Sequence, residues 1–298
     1  MLVLIYFEYI YIMDYVSGEQ LQLIAKAALG FSYDFSQNPF ILENSKHVTF
    51  VDFRCVNEYD NPTVLFCYGH RIEELSLHIN KLKNPFILIS HNSDYNITNC
   101  SSTLEILDCK NLIKWFGQNV EYIHDKIHFL PIGLANQMWK HGDLTNFKSL
   151  SKCYKDKQIY MCFKVSTNLD ARNLCLKILS PMIEFLPIIE PYDNIRLLKK
   201  YKFCICPDGN GLDTHRLWEA LYVKTVPILL RTKFSENIQN TTKLPMILID
   251  SWSDLKPEKL PDYDSFNFNI GQKYLSLQYY NVLIQETIKY YFVRLRSS

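Results

Sequence analysis

Residues Tyr201–Leu230 read YKFCICPDGNGLDTHRLWEALYVKTVPILL, and the grammar is strand, glycine turn, helix, strand. Phe203–Cys206 is a short apolar run stopped by Pro207, which predicts a buried strand. Asp208-Gly209-Asn210-Gly211 is a turn whose two glycines allow a ligand to approach the backbone closely. Asp213 has the chemistry of an N-cap, which predicts a helix from Thr214 to about Tyr222. Val226–Leu230 is then the next strand, and the whole is a βαβ unit.

A helix start of this kind presents free backbone N–H groups and the positive end of a dipole, which suits a phosphate or diphosphate. His215 and Arg216 fall in the first turn, where arginine can grip phosphate oxygens in a bidentate way. Glu219, three residues on, shares that face and can accept hydrogen bonds from ribose hydroxyls. The residues alone leave a second reading open, in which Gly-Asn-Gly is only a tight turn and Arg216 with Glu219 only a surface ion pair. Neither a P-loop nor a dinucleotide fingerprint fits: Gly-Lys-Ser/Thr is absent, and Thr214 holds the place of the third glycine.

The stretch CPDGNGLDTHRLWEALYVKTVPILL resembles the C-terminal signature of exostosin-like glycosyltransferases, in particular a branch found in large DNA viruses and bacteria. Pro85–Ile97 (PFILISHNSDYNI), Trp115–Val120 (WFGQNV), Phe129–Asn136 (FLPIGLAN) and Ser166–Arg172 (STNLDAR) extend the resemblance over roughly half the chain. Lys224 departs from it, standing where the family usually has glycine. The resemblance implies a GT-B fold: α/β, with two Rossmann-like doubly wound domains facing a cleft and a last helix that can cross back to the first domain. It implies transfer of a sugar from a nucleotide-diphosphate sugar, UDP- or GDP-linked, to a hydroxyl on a glycan or glycoprotein, with no separate cofactor and no metal. The donor side would then comprise Gly209, Asn210, Gly211, Asp213, Thr214, His215, Arg216 and Glu219, joined by Asn168 and Arg172 at the start of another helix. An inverting reaction needs a base for the acceptor hydroxyl. Ser90-His91-Asn92-Ser93-Asp94 follows a predicted strand of the first domain, which makes Asp94 or His91 the expected catalytic residue, with His70 a weaker candidate. Replacing Arg216 by alanine is expected to abolish donor binding with little change in melting temperature.

The rest of the chain alternates strands and helices, as a parallel doubly wound sheet requires. A helix through Leu21, Ile24 and Ala28 follows the capping box Ser17-Gly18-Glu19-Gln20 and ends at Gly30. His47–Phe53, Thr63–Tyr68, Pro85–Ser90 and Ile127–Leu130 read as strands, Arg71–Lys83 and Thr103–Cys109 as helices. The polar, basic stretch His141–Lys157 carries the boundary between an acceptor-side domain, 1–145, and a nucleotide-sugar domain, 155–270. Within the second, Ile159–Val165, Phe185–Ile189 and Met246–Asp250 read as further strands, with helices over Asp170–Leu179 and near Asp193–Tyr201. Residues 271–298 contain a long amphipathic helix, Gln272–Arg296.

Composition narrows the function classes. The 298 residues carry a net charge of +1, which supplies no electrostatic argument for nucleic acid or acidic lipid. Met1–Met13 is apolar but short of a membrane span and lacks a basic leader, so it is expected to be a buried strand rather than an anchor or signal peptide. Nine cysteines with no Cys-x-x-Cys point to free thiols in a reducing compartment. The expected place is the cytoplasm, the host's if the source is viral, without membrane association; the oligomeric state stays open. Asn96, Asn99 and Asn240 begin glycosylation sequons that matter only on secretion. Two rival readings remain. One is a catalytically inactive GT-B scaffold or carbohydrate-binding protein. The other is a metal-dependent GT-A transferase using Asp262-Tyr263-Asp264, although the residues before that motif read as a loop.

Overall fold

The computed structural model describes residues 14–148 and 154–297, and the expectation for Met1–Met13 lies outside them. In chain order the elements are α1 (Gly18–Gln22), β1 (Ala27–Gly30), α2 (Ser32–Phe35), α3 (Pro39–Asn44), β2 (Thr49–Asp52), β3 (Val64–Tyr68), α4 (Ile72–His78), β4 (Phe86–His91), α5 (Ser101–Asp108), β5 (Leu112–Gly117) and β6 (Ile127–Phe129). They continue with α6 (Thr145–Lys148), β7 (Lys157–Tyr160), α7 (Leu169–Leu179), α8 (Pro191–Leu198), β8 (Tyr201–Ile205), α9 (His215–Tyr222), β9 (Val226–Leu230), α10 (Lys233–Thr242), β10 (Ile247–Ile249) and α11 (Leu277–Ser297).

The strands form two sheets, one of six strands in the order β2-β1-β3-β4-β5-β6 and one of four in the order β10-β9-β8-β7. Every ladder in both is parallel. Parallel strands must be joined by crossovers, most of them helical here, and the inner strands read as continuous apolar runs buried on both faces. β3 and β4 are buried at every position, and Phe203, Cys204 and Ile205 of β8 likewise.

Two compact units result. One holds the six-stranded sheet and comprises Asp14–Ile132, Asn136–Met138 and Ser276–Ser298; the other holds the four-stranded sheet and includes Gly133–Ala135 and Trp139–Leu275. Residues 139–148 therefore go with the four-stranded unit, and α11 goes with the six-stranded one, where it packs on β5. The core of the four-stranded unit runs through Met161, Cys175, Leu179, Phe203, Ile205, Val226, Ile228 and Trp252. In the other unit the indole of Trp115 on β5 is fully buried and donates to Ser90 Oγ on β4 at 2.7 Å.

Several local expectations need correction. The helix expected through Ala28 stops at Gln22, and Ala27–Gly30 is instead the interior strand β1, completely buried between β2 and β3. Tertiary pairing on both sides outweighs the helix propensity of Ala-Ala-Leu. Phe185–Ile189 forms no strand: Pro187 has no N–H to give a ladder, and the segment is tied down by Leu186 N–H to Met161 O at 2.9 Å. β7 is shorter than Ile159–Val165, ending at Tyr160. The helix expected from Gln272 begins as a 3₁₀ turn, Gln272–Leu275, before α11. β5 and α10 had no counterpart in the sequence reading.

Candidate functional site

In the four-stranded unit the loops after β7 and β8 leave from the carboxyl ends of adjacent strands, and α9 starts beside them. Two arginines converge there. Arg216, in the first turn of α9, donates through Nε to Glu219 Oε2 at 2.9 Å and through Nη1 to the carbonyl of Cys162 at 2.8 Å. Its guanidinium lies 5.2 Å from the ring centre of Tyr160. Arg172, from α7, is buried and donates through Nε to Asp208 O and through Nη1 to Lys164 O, both at 2.8 Å. Asn168 caps α7 by accepting from Ala171 N–H, and its Nδ2 donates to Gly209 O at 2.8 Å. The turn Asp208–Gly211 is thus held by side chains from the neighbouring strand's helix, with its own bond from Gly209 N–H to Gly211 O at 3.1 Å. A Cβ on Gly209 would stand 3.1 Å from Arg172 Nη2, so a side chain there would press on the guanidinium.

The electrostatics of this edge are uneven. Burial, and then the charge of Arg216, push the Arg172 pKa below the ordinary arginine value. Burial opposes the charge of Arg216 as well, but the Glu219 carboxylate together with Tyr160, Cys204 and Cys162 outweighs it and holds Arg216 well above the ordinary value. Burial likewise raises Tyr160. Two cations that repel each other are therefore fixed side by side in partly desolvated surroundings. The Nη2 groups of both, and Glu219 Oε1, make no hydrogen bond among the described residues. The side chain of Thr214, the N-cap of α9, makes no capping hydrogen bond at this end of the helix.

The expected donor residues do not all meet at this edge. Asn168, Arg172, Gly209, Thr214, Arg216 and Glu219 gather around it, and Asn210 lies exposed on the turn while Gly211 is buried. Asp213 is not the N-cap. Its buried carboxylate accepts from Trp218 Nε1 at 2.7 Å, and Thr214 takes the cap position through its extended backbone. His215 turns away to bond Gly133 O through Nδ1 at 2.9 Å. The carbonyls of Cys162 and Lys164, which aim the arginines, carry no sequence signal because every residue has one.

In the six-stranded unit the two candidate bases separate. His91 is buried; Nε2 donates to Pro131 O at 3.0 Å, which leaves Nδ1 to accept from Asn92 N–H at 2.7 Å. Both nitrogens hold the fold, so His91 is corrected from candidate base to scaffold. Asp94 is exposed on the loop after β4. His70, after β3, has Nε2 at 3.6 Å from Asp34 Oδ1. Sequence reasoning missed a buried polar network nearby: Glu19 accepts from Asn38 Nδ2 and Gln137 N, each at 2.7 Å, and Asn92 Nδ2 donates to Gln22 at 3.1 Å. Gly18 marks how closely the backbone passes, since a Cβ there would lie 1.8 Å from Asn92 Oδ1.

Asp262 and Asp264 lie in an exposed 3₁₀ turn, where the Asp262 side chain accepts from Asp264 N–H. Among the described residues no group of three His, Cys, Asp or Glu could hold a metal ion, and no helix is long and apolar enough to cross a membrane. The eight cysteines among the described residues are free thiols, most of them buried. Compared with protein-family models and with curated proteins, the chain matches none.

Proposed function

We propose that the protein is a glycosyltransferase of the GT-B type that moves a sugar from a nucleotide-diphosphate sugar to a hydroxyl acceptor. The observation that carries this reading is the Arg172–Arg216 pair at the carboxyl edge of β7 and β8. Two guanidiniums are locked by backbone carbonyls, repel each other, and each keeps one amino group unspent. An anion bridging the two Nη2 groups relieves that repulsion, and open α/β sheets bind ligands at this edge. Departure of a diphosphate builds negative charge on its leaving oxygen, and fixed cations stabilise that charge where it forms. In this reading Glu219 Oε1 accepts from ribose, and Asp94 is the proposed base for the acceptor hydroxyl. The resemblance of Cys206–Leu230 to exostosin-like transferases supplies the sugar-transfer chemistry.

The test is a thermal-shift panel of UDP, GDP, CMP and their common sugar conjugates, with and without EDTA. A ligand at 100 times its Kd stabilises by about 2.7 kcal/mol. The expected result is a shift with one nucleotide, unchanged by EDTA. Arg216→Ala alone is a poor control, contrary to the sequence expectation. It strands the Glu219 carboxylate, only 10% exposed, at a cost of about 3 kcal/mol. The double variant Arg216→Met/Glu219→Gln removes both charges and is expected to fold while losing the shift. A shift that survives in the double variant, or no shift with any nucleotide, sinks the reading; a shift without sugar turnover replaces it with that of a nucleotide-sugar-binding protein.

A further inference from the structure

The strand order β2-β1-β3-β4-β5-β6 reverses direction between β1 and β3. The connection out of β1 runs to one side of the sheet and the connection out of β3 to the other. Loops leaving adjacent parallel strands in opposite directions open a crevice at their carboxyl ends, the place where doubly wound sheets take ligands. The residues the chain puts there are Phe31, Tyr33 and Asp34 after β1, and His70, Arg71 and Glu74 after β3.

Their arrangement is built around Arg71. Its Nε and Nη2 donate to the buried Asp34 carboxylate at 3.1 Å, Nη1 donates to Glu74 Oε1 at 3.0 Å, and Nη2 also reaches Tyr33 Oη. The guanidinium lies 5.1 Å from the Tyr33 ring and 5.2 Å from the Phe31 ring, which are themselves parallel at 5.7 Å. Tyr33 is thus pinned by a hydrogen bond, a cation and a stacked ring, and yet 52% of it faces solvent. Beside it stand the half-exposed imidazole of His70 and the Glu74 carboxylate, whose Oε2 makes no hydrogen bond among the described residues.

The geometry points to a binding site for a neutral saccharide at this β1/β3 switch point, with the Tyr33 ring as its platform and His70 and Glu74 as partners for its hydroxyls. The chemistry selects the ligand class. Phosphate is disfavoured, because Arg71 has spent every nitrogen on Asp34, Glu74 and Tyr33, and the remaining accessible charge is acidic. A hydroxyl is a donor and suits a carboxylate acceptor. The C–H face of a sugar ring is apolar and electropositive, and it matches the electron-rich face of a tyrosine. Because Tyr33 is already immobilised, stacking on it costs little side-chain entropy. The site lies wholly within the six-stranded unit and stands whether or not nucleotide binds to the other.

Saturation-transfer NMR without nucleotide tests it, using methyl glycosides of glucose, galactose, mannose and xylose, with uridine and adenosine as flat, phosphate-free competitors. At least one glycoside is expected to give signal with the wild type and with Tyr154→Ala, a change at an exposed tyrosine of the other unit. Tyr33→Ala is expected to weaken that binding about tenfold, and Tyr33→Phe, which keeps the face, to preserve most of it. Melting curves of the same samples identify any variant that fails to fold, and Glu74→Gln then serves in its place. Signal undiminished in Tyr33→Ala, no signal from any glycoside, or nucleosides binding the same face more tightly would each overturn the site. Adding UDP and GDP to the same samples separates this result from the donor reading, whose loss would leave the glycoside signal intact.

Discussion

At the scale of single residues, the costs of burial explain which side chains are committed and which are spare. His128 on β6 packs against Phe116 at 5.2 Å, and its Nε2 finds no partner among the described residues. Burial, reinforced by the Lys114 charge, pulls its pKa down to about 4. The unfolded chain has a histidine near the ordinary value of about 6.5, so between these values the unfolded state binds more protons. Stability is therefore full above about pH 6.5 and falls as pH drops towards 4, by up to about 3 kcal/mol. His128→Phe is expected to flatten that part of the melting-temperature profile; equal slopes in the two proteins would show that His128 is already solvated when folded. The same logic governs Arg216 and Glu219, whose mutual pairing is what makes either tolerable where it lies.

At the scale of elements, α9 shows how a helix is ended and what a lysine in the left-handed region costs. Thr225 N–H bonds Ala220 O at 2.8 Å and Lys224 N–H bonds Leu221 O at 3.0 Å, which is a Schellman motif. Lys224 occupies its left-handed position with φ +56. Glycine enters that region freely, whereas a residue with a Cβ pays about 1–2 kcal/mol. Part of the gain from glycine is returned as unfolded-state entropy. Lys224→Gly is accordingly expected to stabilise by about 0.5–1 kcal/mol, seen as a rise of about 2 °C in a calorimetric scan. A fall would mean that the lysine side chain makes contacts worth more than the strain. At the helix's opposite end the Thr214 side chain makes no capping hydrogen bond, and that is the end where a ligand is proposed.

At the scale of the whole molecule, the last helix does not belong with the residues just before it. Asp14 Oδ1 accepts from Ser276 Oγ at 2.9 Å and from Gln278 N–H at 2.8 Å, fixing the entry to α11 within the six-stranded unit. Tyr280 and Ile284 on that helix are fully buried. Removing residues 276–298 uncovers both sites, at a cost of about 4 kcal/mol of apolar burial. The truncated chain is expected to lose the melting transition of the six-stranded unit at far-ultraviolet wavelengths. Tyr290→Ser, at an exposed position, should change stability by less than about 0.5 kcal/mol. A truncated chain melting like the full one would show that α11 is dispensable to that unit.

Alternation of apolar runs with amphipathic stretches was enough to read parallel α/β architecture, because buried parallel strands and crossover helices each leave a local pattern. The turn Asp208–Gly211 and the helix after it were legible for the same reason: glycine, proline and helix-capping preferences act within a few residues. β1 was misread because Ala-Ala-Leu-Gly has no strand pattern of its own, and only β2 and β3 on either side make it one. The roles of polar residues were settled still further from the sequence. Asp213 had the right chemistry for a cap and went to Trp218 instead; His91 looked like a base and is held by Pro131 and Asn92. Arg172, expected on the donor side, is buried and braces the Asp208–Gly209 turn through Asp208 O. Asp34 and Arg71, 37 residues apart, meet only because the switch in strand order sets their loops side by side. A sequence determines what a residue can donate or accept, and hydrophobic periodicity determines which elements form. Which donor meets which acceptor depends on desolvation and distance, and those exist only after the sheets have assembled.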